Sequence, residues 1–128
     1  ALTIGPDRAH RMDAVRSALD EGVTTAIHSD APVTPLGPLF TAWCAVNRQT
    51  MSGVTLGAAE RISVAEALDL ITLGAARTLK LDAEIGSISP GKRADFAILG
   101  ADPLAVDATA LKDVPVLGTI FGGRVHRL

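Results

Sequence analysis

The stretch that most constrains the fold is a short apolar and β-branched run at residues 23–28, VTTAIH, which Ser29 and Asp30 follow at once. The run is too short and too β-branched for a helix, and it lacks the alternation of a half-exposed strand. We therefore predict a strand buried on both faces, as in a parallel sheet. Functional side chains gather where such strands end, so Asp30 is the first candidate for a catalytic residue.

Helical patterns lie on both sides of this run. One helix is predicted from Pro6 to Gly22, with Arg16 and Asp20 paired on its exposed side. After a proline-rich loop at residues 31–38, apolar residues at intervals of three and four predict a second helix over residues 36–47. Its Trp43 is expected in the core or lining a pocket. Residues 49–61 have no apolar period and are predicted to be a long surface loop.

The second half of the chain begins with a helix and then changes character. Ser63 and Glu66 form a capping-box pattern that opens a helix over residues 64–73, with a break near Gly74, where small residues let another element approach. Beyond residue 85 the pattern predicts a strand at 96–99 and a helical turn at 108–113. Residues 116–121 and 124–128 are predicted to form a hairpin, whose turn is Gly122 and Gly123.

The chain thus divides into residues 1–81, with helix–strand units, and residues 82–128, a small antiparallel β unit. The first part holds one convincing parallel strand, yet such a strand needs neighbours to satisfy its backbone groups. Either partner chains supply those neighbours or they lie upstream in a larger barrel or sheet, and we expect the second. The sequence begins at Ala1 with no signal-peptide pattern, and we expect a fragment or a processed chain.

Composition excludes several classes of function. Across 128 residues the net charge is -2 without a basic stripe, which argues against nucleic-acid binding. No run of eighteen apolar residues is present, so we expect no membrane span. Cys44 is the single cysteine, which rules out an intramolecular disulfide and a cysteine metal cluster. We expect a cytoplasmic protein.

Five motifs together resemble one family. They are GPDRA at residues 5–9, RSALDEGV at 16–23, SDAPV at 29–33, GSISPGKRAD at 86–95 and GGRV at 122–125. In this order they resemble the C-terminal quarter of a metal-dependent amidohydrolase, in the branch that includes N-substituted formamide deformylases. The resemblance covers essentially the whole chain, and the stretch at 86–95 is its most specific part.

The resemblance implies an α/β fold. Residues 1–81 would be the C-terminal part of a (β/α)8 TIM-type barrel, with residues 23–28 as its eighth strand. Residues 82–128 would be the C-terminal strands of a small composite β-sandwich domain, whose other strands lie elsewhere in the protein.

The resemblance also implies a chemistry. The family holds one or two divalent metals, commonly zinc, and of its ligands only the aspartate that ends strand eight has a counterpart here, Asp30. It would be a metal ligand and would carry a proton from the attacking water to the leaving nitrogen, so that the C–N bond of an amide-like small molecule is hydrolysed.

The three histidines are weaker candidates. His28 stands where this branch often has glycine, and it could line the substrate pocket, support Asp30 by a hydrogen bond, or simply face the barrel wall. His10 and His126 are expected to be ordinary surface residues, and no His-x-His motif is present.

Two alternatives stay open. In the first, the chain is an inactive structural remnant, because most of the metal ligands are absent, and it self-associates as a homo-oligomer to cover unpaired edges. In the other alternative, Asp30 is the phosphoacceptor of a regulatory domain, which would require more strands and a nearby acidic pair. Read without the resemblance, Asp30 is more typical of a turn or a helix cap.

Overall fold

Helices fill the first part of the chain and a small sheet the last, in a computed structural model that describes residues 3–127. The five α-helices are α1 (Pro6–His10), α2 (Val15–Asp20), α3 (Pro38–Asn47), α4 (Val64–Leu70) and α5 (Leu73–Thr78). Two short 3-10 helices are η1 (Ala58–Glu60) and η2 (Ala108–Asp113), and three strands are β1 (Phe96–Leu99), β2 (Val116–Phe121) and β3 (Arg124–Arg127). No helix within residues 3–127 is long and apolar enough to cross a membrane.

The core forms around α3. Ala42 and Val46 are buried on this helix and cluster with Ala67 and Leu70 of α4 and with Leu111 of η2. Because alanine carries a short side chain, the helices can approach closely at Ala42 and Ala67, both fully buried. Leu111 belongs to the second part of the sequence, so the two parts share this core. The division at residue 81 stays a prediction.

Polar side chains of α3 fix η2 in place. The Trp43 indole N–H donates to the Thr109 carbonyl oxygen at 2.8 Å, and the Asn47 amide donates to the Ala108 carbonyl oxygen at 2.9 Å. Asn47 is buried, so this bond satisfies a side chain that would otherwise be costly to bury. The predicted helical turn at 108–113 and the core or pocket position of Trp43 are both confirmed.

The three strands form one antiparallel sheet in the order β1-β2-β3. Phe96 pairs with Ile120, which pairs with Val125 on its other side. Gly122 and Gly123 make the hairpin turn with positive φ angles of 54° and 80°, the conformation that a two-residue primed turn requires. The predicted strand and hairpin are confirmed, except that Leu128 lies outside the described residues.

The single helix predicted from Pro6 to Gly22 is wrong. The chain forms α1 and α2 instead, separated at residues 11–14, because Asp13 adopts a left-handed φ of 50° that no α-helix accommodates. The Arg48 guanidinium donates to the carbonyl oxygens of Met12 at 2.6 Å and Asp13 at 2.9 Å, which stabilises the break. The predicted pair of Arg16 and Asp20 is present at 2.9 Å.

The strand predicted at residues 23–28 is not formed as a strand. Residues 23–29 have no regular secondary structure, and Val23 is 55% exposed rather than buried. A strand needs a neighbour to bond its N–H and C=O groups, and the three strands within residues 3–127 form one sheet that does not include this segment. Ile27 is the residue of this segment that packs against the core cluster.

The helix predicted over residues 64–73 divides into α4 and α5, with the break at residues 71–72, just before Gly74. Gly74 brings α5 against the segment at residues 23–29. A Cβ at Gly74 would lie 2.9 Å from the Thr25 carbonyl oxygen, so the prediction that small residues here admit another element is confirmed. The predicted surface loop at 49–61 contains η1 and one isolated β-bridge, between Gln49 and Thr55.

Glu66 joins α4 to α2. The Ser63 hydroxyl accepts the Glu66 backbone N–H, and the Glu66 carboxylate accepts the Ser63 N–H at 2.8 Å, which confirms the capping box. The same carboxylate accepts a hydrogen bond from Arg16 at 2.6 Å. The Arg16 bond first, and then the bonds from Ser63, lower the pKa of Glu66 from 4.5 to about 2.

Glu66→Gln should therefore reduce stability at neutral pH. Glutamine can keep the capping box, but it offers Arg16 no charge. The two side chains are 30% and 37% exposed, so water screens the pair, and we expect the free energy of unfolding to fall by about 1 kcal/mol in urea titrations.

The same pair should give stability a specific pH dependence. Since the pKa of Glu66 is lowered by folding, its contribution is fully present above its usual pKa of 4.5 and is lost as the pH falls towards 2. Glu66→Gln should lose less stability than the wild type over that interval. Glu21→Gln, at an exposed residue of α2's C-terminal end, is the control; an equal effect there would contradict the role of the pair.

Gly57→Ala should be more destabilising than Gly53→Ala. Both glycines have positive φ, of 66° and 78°, so both substitutions carry the left-handed cost of about 1 kcal/mol. At Gly57 a Cβ would also lie 2.2 Å from the His10 carbonyl oxygen, whereas nothing lies within 4 Å at Gly53. We expect a total cost of about 3 kcal/mol for Gly57→Ala in chemical unfolding, because overpacking adds to the conformational cost. Equal costs would contradict the contact between this loop and α1.

Candidate functional site

Asp30 lies in a tight turn that its neighbours hold by hydrogen bonds. Its φ is 50°, a left-handed conformation that aspartate tolerates better than most residues. Its backbone N–H donates to Nδ1 of His28 at 3.0 Å, and its carbonyl oxygen accepts the Val33 N–H at 2.8 Å. The Thr34 hydroxyl donates to the carbonyl oxygen of Ser29, which closes the turn from the other side.

The Asp30 carboxylate is exposed, and no partner for it occurs within residues 3–127. Both backbone polar groups of Asp30 are bonded within the turn, so the carboxylate is the one polar group of this residue left to bind something else. An exposed, unpaired carboxylate at the end of a packed segment can accept a proton or bind a cation.

His28 supports Asp30 in a different way from the one expected. A hydrogen bond to Asp30 is one of the roles that the sequence leaves open for this residue; the bond present has the backbone N–H of Asp30 as its donor, and the carboxylate takes no part. The His28 ring also lines a neighbouring cleft, which agrees with its candidacy for the substrate pocket without testing it.

The cleft next to this turn has a volume of about 580 Å³. One wall is residues 25–29, and the others come from α2, from α3 and from the segment that follows α3. His28 and Ser29 line it, whereas Asp30 lies outside its lining. Cys44 also faces it, but burial raises the pKa of this thiol, so at neutral pH it is protonated and a poor nucleophile or metal ligand.

The described residues do not by themselves make a metal centre. No group of three histidine, cysteine, aspartate or glutamate side chains comes together anywhere in residues 3–127. A zinc site uses three or four protein ligands, so Asp30 can be one of them but cannot build the site alone.

The other histidines have different environments. His10 is exposed as predicted, but its Nδ1 also accepts the Gly57 backbone N–H at 3.2 Å, so it helps to anchor the loop after α3. His126 is exposed on β3.

Arg48 was missed by sequence reasoning, although it joins three parts of the fold beside the cleft. Besides its bonds to Met12 and Asp13, it donates to the Leu56 carbonyl oxygen at 3.1 Å. All three acceptors are backbone oxygens, which any residue supplies, so no pattern of side chains could have indicated the contact.

Comparisons with known proteins now extend this geometry. The model of the amidohydrolase family matches residues 1–126. An N-substituted formamide deformylase of Arthrobacter pascens is 36% identical over 120 residues, which are 93% of this chain and 22% of that protein. A protein of Arabidopsis thaliana named LONG AFTER FAR-RED 3 is 36% identical over 129 residues, covering 97% of this chain and 21% of its own.

The fold has a counterpart of known structure. The crystal structure of an amidohydrolase from Thermotoga maritima MSB8 superimposes with a TM-score of 0.67 at 24% identity, over 89% of this chain and 26% of that one. The chain therefore spans about a quarter or less of the length of the proteins it matches. Because the family match covers residues 1–126, nearly the whole chain, the chain belongs to the amidohydrolase family.

Proposed function

We propose that the chain is the C-terminal part of a metal-dependent amidohydrolase that hydrolyses the C–N bond of an amide-like small molecule. The observation that carries the proposal is the Asp30 carboxylate, which is exposed and has no partner within residues 3–127, while the backbone N–H and C=O of the same residue are both hydrogen-bonded. Family membership and the relative named as a formamide deformylase support this type of reaction.

In this proposal, residues 1–81 are the last helix–strand units of a (β/α)8 barrel, with residues 23–28 as its eighth strand. Three features support that assignment: the segment lies between α2 and α3, Ile27 packs on the core, and no strand within residues 3–127 pairs with it. In the complete barrel, neighbouring strands would supply the missing hydrogen bonds.

Residues 82–128 are, in the same proposal, part of a composite β-sandwich. The sheet exposes apolar side chains on both faces. Val125 is 60% exposed on one face, while Leu117 and Phe121 are 54% and 61% exposed on the other. A sheet with two apolar faces is typical of one covered on both sides.

Asp30 would act as a general base and then as a general acid. Its carboxylate accepts a proton from the water that attacks the carbonyl carbon and donates that proton to the leaving nitrogen, so that an acid and an amine result. A divalent metal, zinc in our proposal, would make the water more acidic and polarise the carbonyl group, with Asp30 as one ligand and the other ligands outside residues 3–127. One metal or two are both compatible with a single aspartate.

The partners follow from the same reasoning. The substrate is a small molecule, and neither nucleic acid nor a membrane is part of the proposal. Exposed apolar side chains such as Val33 and Leu36, at 77% and 85%, favour association with further protein, including a homo-oligomer. The single cysteine is compatible with the cytoplasm.

Asp30→Asn in the complete protein should abolish most of the hydrolytic activity. Asparagine has the size of aspartate and tolerates the left-handed conformation, but it can neither accept the proton nor offer a metal a negative charge. We expect kcat/KM for an N-substituted formamide to fall by about a thousandfold, by analogy with the loss of a general base and of charge stabilisation together.

The control for this variant is Asp82→Asn, which makes the same change at an exposed aspartate in the turn after α5. It should retain full activity. Retention of activity by Asp30→Asn would refute the catalytic role of this residue. A wild type that hydrolyses none of a panel of amides would instead favour the inactive remnant.

Removal of metal should abolish activity reversibly. A chelator followed by gel filtration should leave an inactive protein, because the water then lacks its activating ion, and added Zn²⁺ should restore the rate. Elemental analysis before and after chelation gives the metal content. Full activity in metal-free protein would contradict metal dependence and leave the role of Asp30 as a base to be judged by Asp30→Asn alone.

A further inference from the structure

We propose that His28 is a positioning residue for Asp30: its imidazole Nδ1 accepts the Asp30 backbone N–H and thereby fixes the turn that presents the carboxylate. The proposal rests on the proposed function only in taking Asp30 as the reacting group.

The hydrogen bond joins two residues of the same turn and is the one bond made by the Asp30 N–H within residues 3–127. Its N···N distance is 3.0 Å, and Asp30 has the left-handed φ of 50°. A left-handed residue outside a helix or sheet is held by local bonds, because the conformation itself costs energy. The His28 bond compensates for part of this cost.

The rest of the turn fixes the other side of Asp30. Its carbonyl oxygen accepts the Val33 N–H at 2.8 Å, and the Thr34 hydroxyl bonds to the Ser29 carbonyl oxygen. Both peptide groups that flank the Asp30 Cα are therefore held, the first of them by His28. Loss of that bond would leave the peptide group between Ser29 and Asp30 held by the Thr34 bond alone within residues 3–127 and give the carboxylate more freedom to change its position, which matters because small displacements of a reacting group reduce rates strongly.

The bond also determines which nitrogen of a neutral His28 ring accepts a hydrogen bond and which one carries the proton. In a neutral imidazole one nitrogen accepts and the other carries the proton, so an accepting Nδ1 places the proton on Nε2. The Nδ1 atom is separated from Cα by as many bonds as the Oδ1 atom of asparagine. The Oε1 atom of glutamine is one bond farther away and corresponds to Nε2.

Substitution of His28 by asparagine and by glutamine therefore distinguishes a positioning role from direct contact with the substrate. His28→Asn keeps an acceptor at the place of Nδ1 but loses the Nε2–H group, the ring nitrogen that the bond to Asp30 leaves available to a ligand. His28→Gln keeps a polar group near Nε2 but loses the acceptor for Asp30. If His28 positions Asp30, His28→Gln should therefore be the more impaired variant. If His28 instead contacts the substrate through Nε2, His28→Asn should be the more impaired one.

The experiment compares wild type, His28→Asn, His28→Gln and Asp30→Asn in the complete protein. Activity on an N-substituted formamide gives kcat and KM, and hydrogen–deuterium exchange with residue-level fragmentation gives the rate of exchange of the residue-30 amide. We expect the Asp30 amide to exchange at the wild-type rate in His28→Asn and about fivefold faster in His28→Gln, the factor that corresponds to one hydrogen bond of ordinary net strength.

For activity, kcat should fall by about tenfold or more in His28→Gln with KM little changed, and His28→Asn should restore most of it. Equal exchange rates of the Asp30 amide in the wild type, His28→Asn and His28→Gln would overturn the proposal. Equal loss in both His28 variants, with KM raised, would also overturn it and assign His28 to the substrate. If the wild type is inactive, the proposed function fails, while the exchange rates still decide whether His28 holds the Asp30 amide.

Discussion

The packing around α3 is the constraint on which the rest of the structure depends. Ala42 is fully buried on this helix, and α4 and η2 lie against it, with Leu111 of η2 fully buried in the same cluster. Burial of such apolar side chains is the main favourable contribution to folding. Since Ile27 packs on the same cluster, the core also determines where the segment at residues 23–29 lies and, through it, where Asp30 is presented.

Close backbone approach completes the placement of that segment. The absence of a side chain at Gly74 lets α5 lie against the Thr25 carbonyl oxygen, and Ile27 reaches the core from the same segment. The segment is thus held by packing at one side, while its backbone has no strand partner within residues 3–127. Packing positions the segment and the local turn positions Asp30, so the site uses two separate kinds of interaction.

Local patterns in the sequence predicted local structure well. The capping box of Ser63 and Glu66, the turn at Gly122 and Gly123, and strand β1 all follow from residues close together in the chain. Such features depend on propensities and spacing, which are written in the sequence itself.

Contacts between distant residues explain what the sequence could not predict. The break between α1 and α2 depends on Arg48, which binds two backbone oxygens 35 and 36 residues away. Residues 23–28 have the composition of a strand but no strand among the described residues 3–127 pairs with them, and a strand forms only as part of a sheet. His28 accepts its hydrogen bond from the backbone N–H of Asp30, not from the side chain. Because every residue except proline carries such an N–H, the identities of the two side chains left several roles for His28 open.

The most direct test of the central claim is anomalous diffraction at the zinc absorption edge from crystals of the complete protein grown with Zn²⁺. The account predicts an anomalous peak about 2.0–2.2 Å from a carboxylate oxygen of Asp30, the usual distance for such a ligand. A fully occupied zinc site at which Asp30 is not a ligand would contradict it.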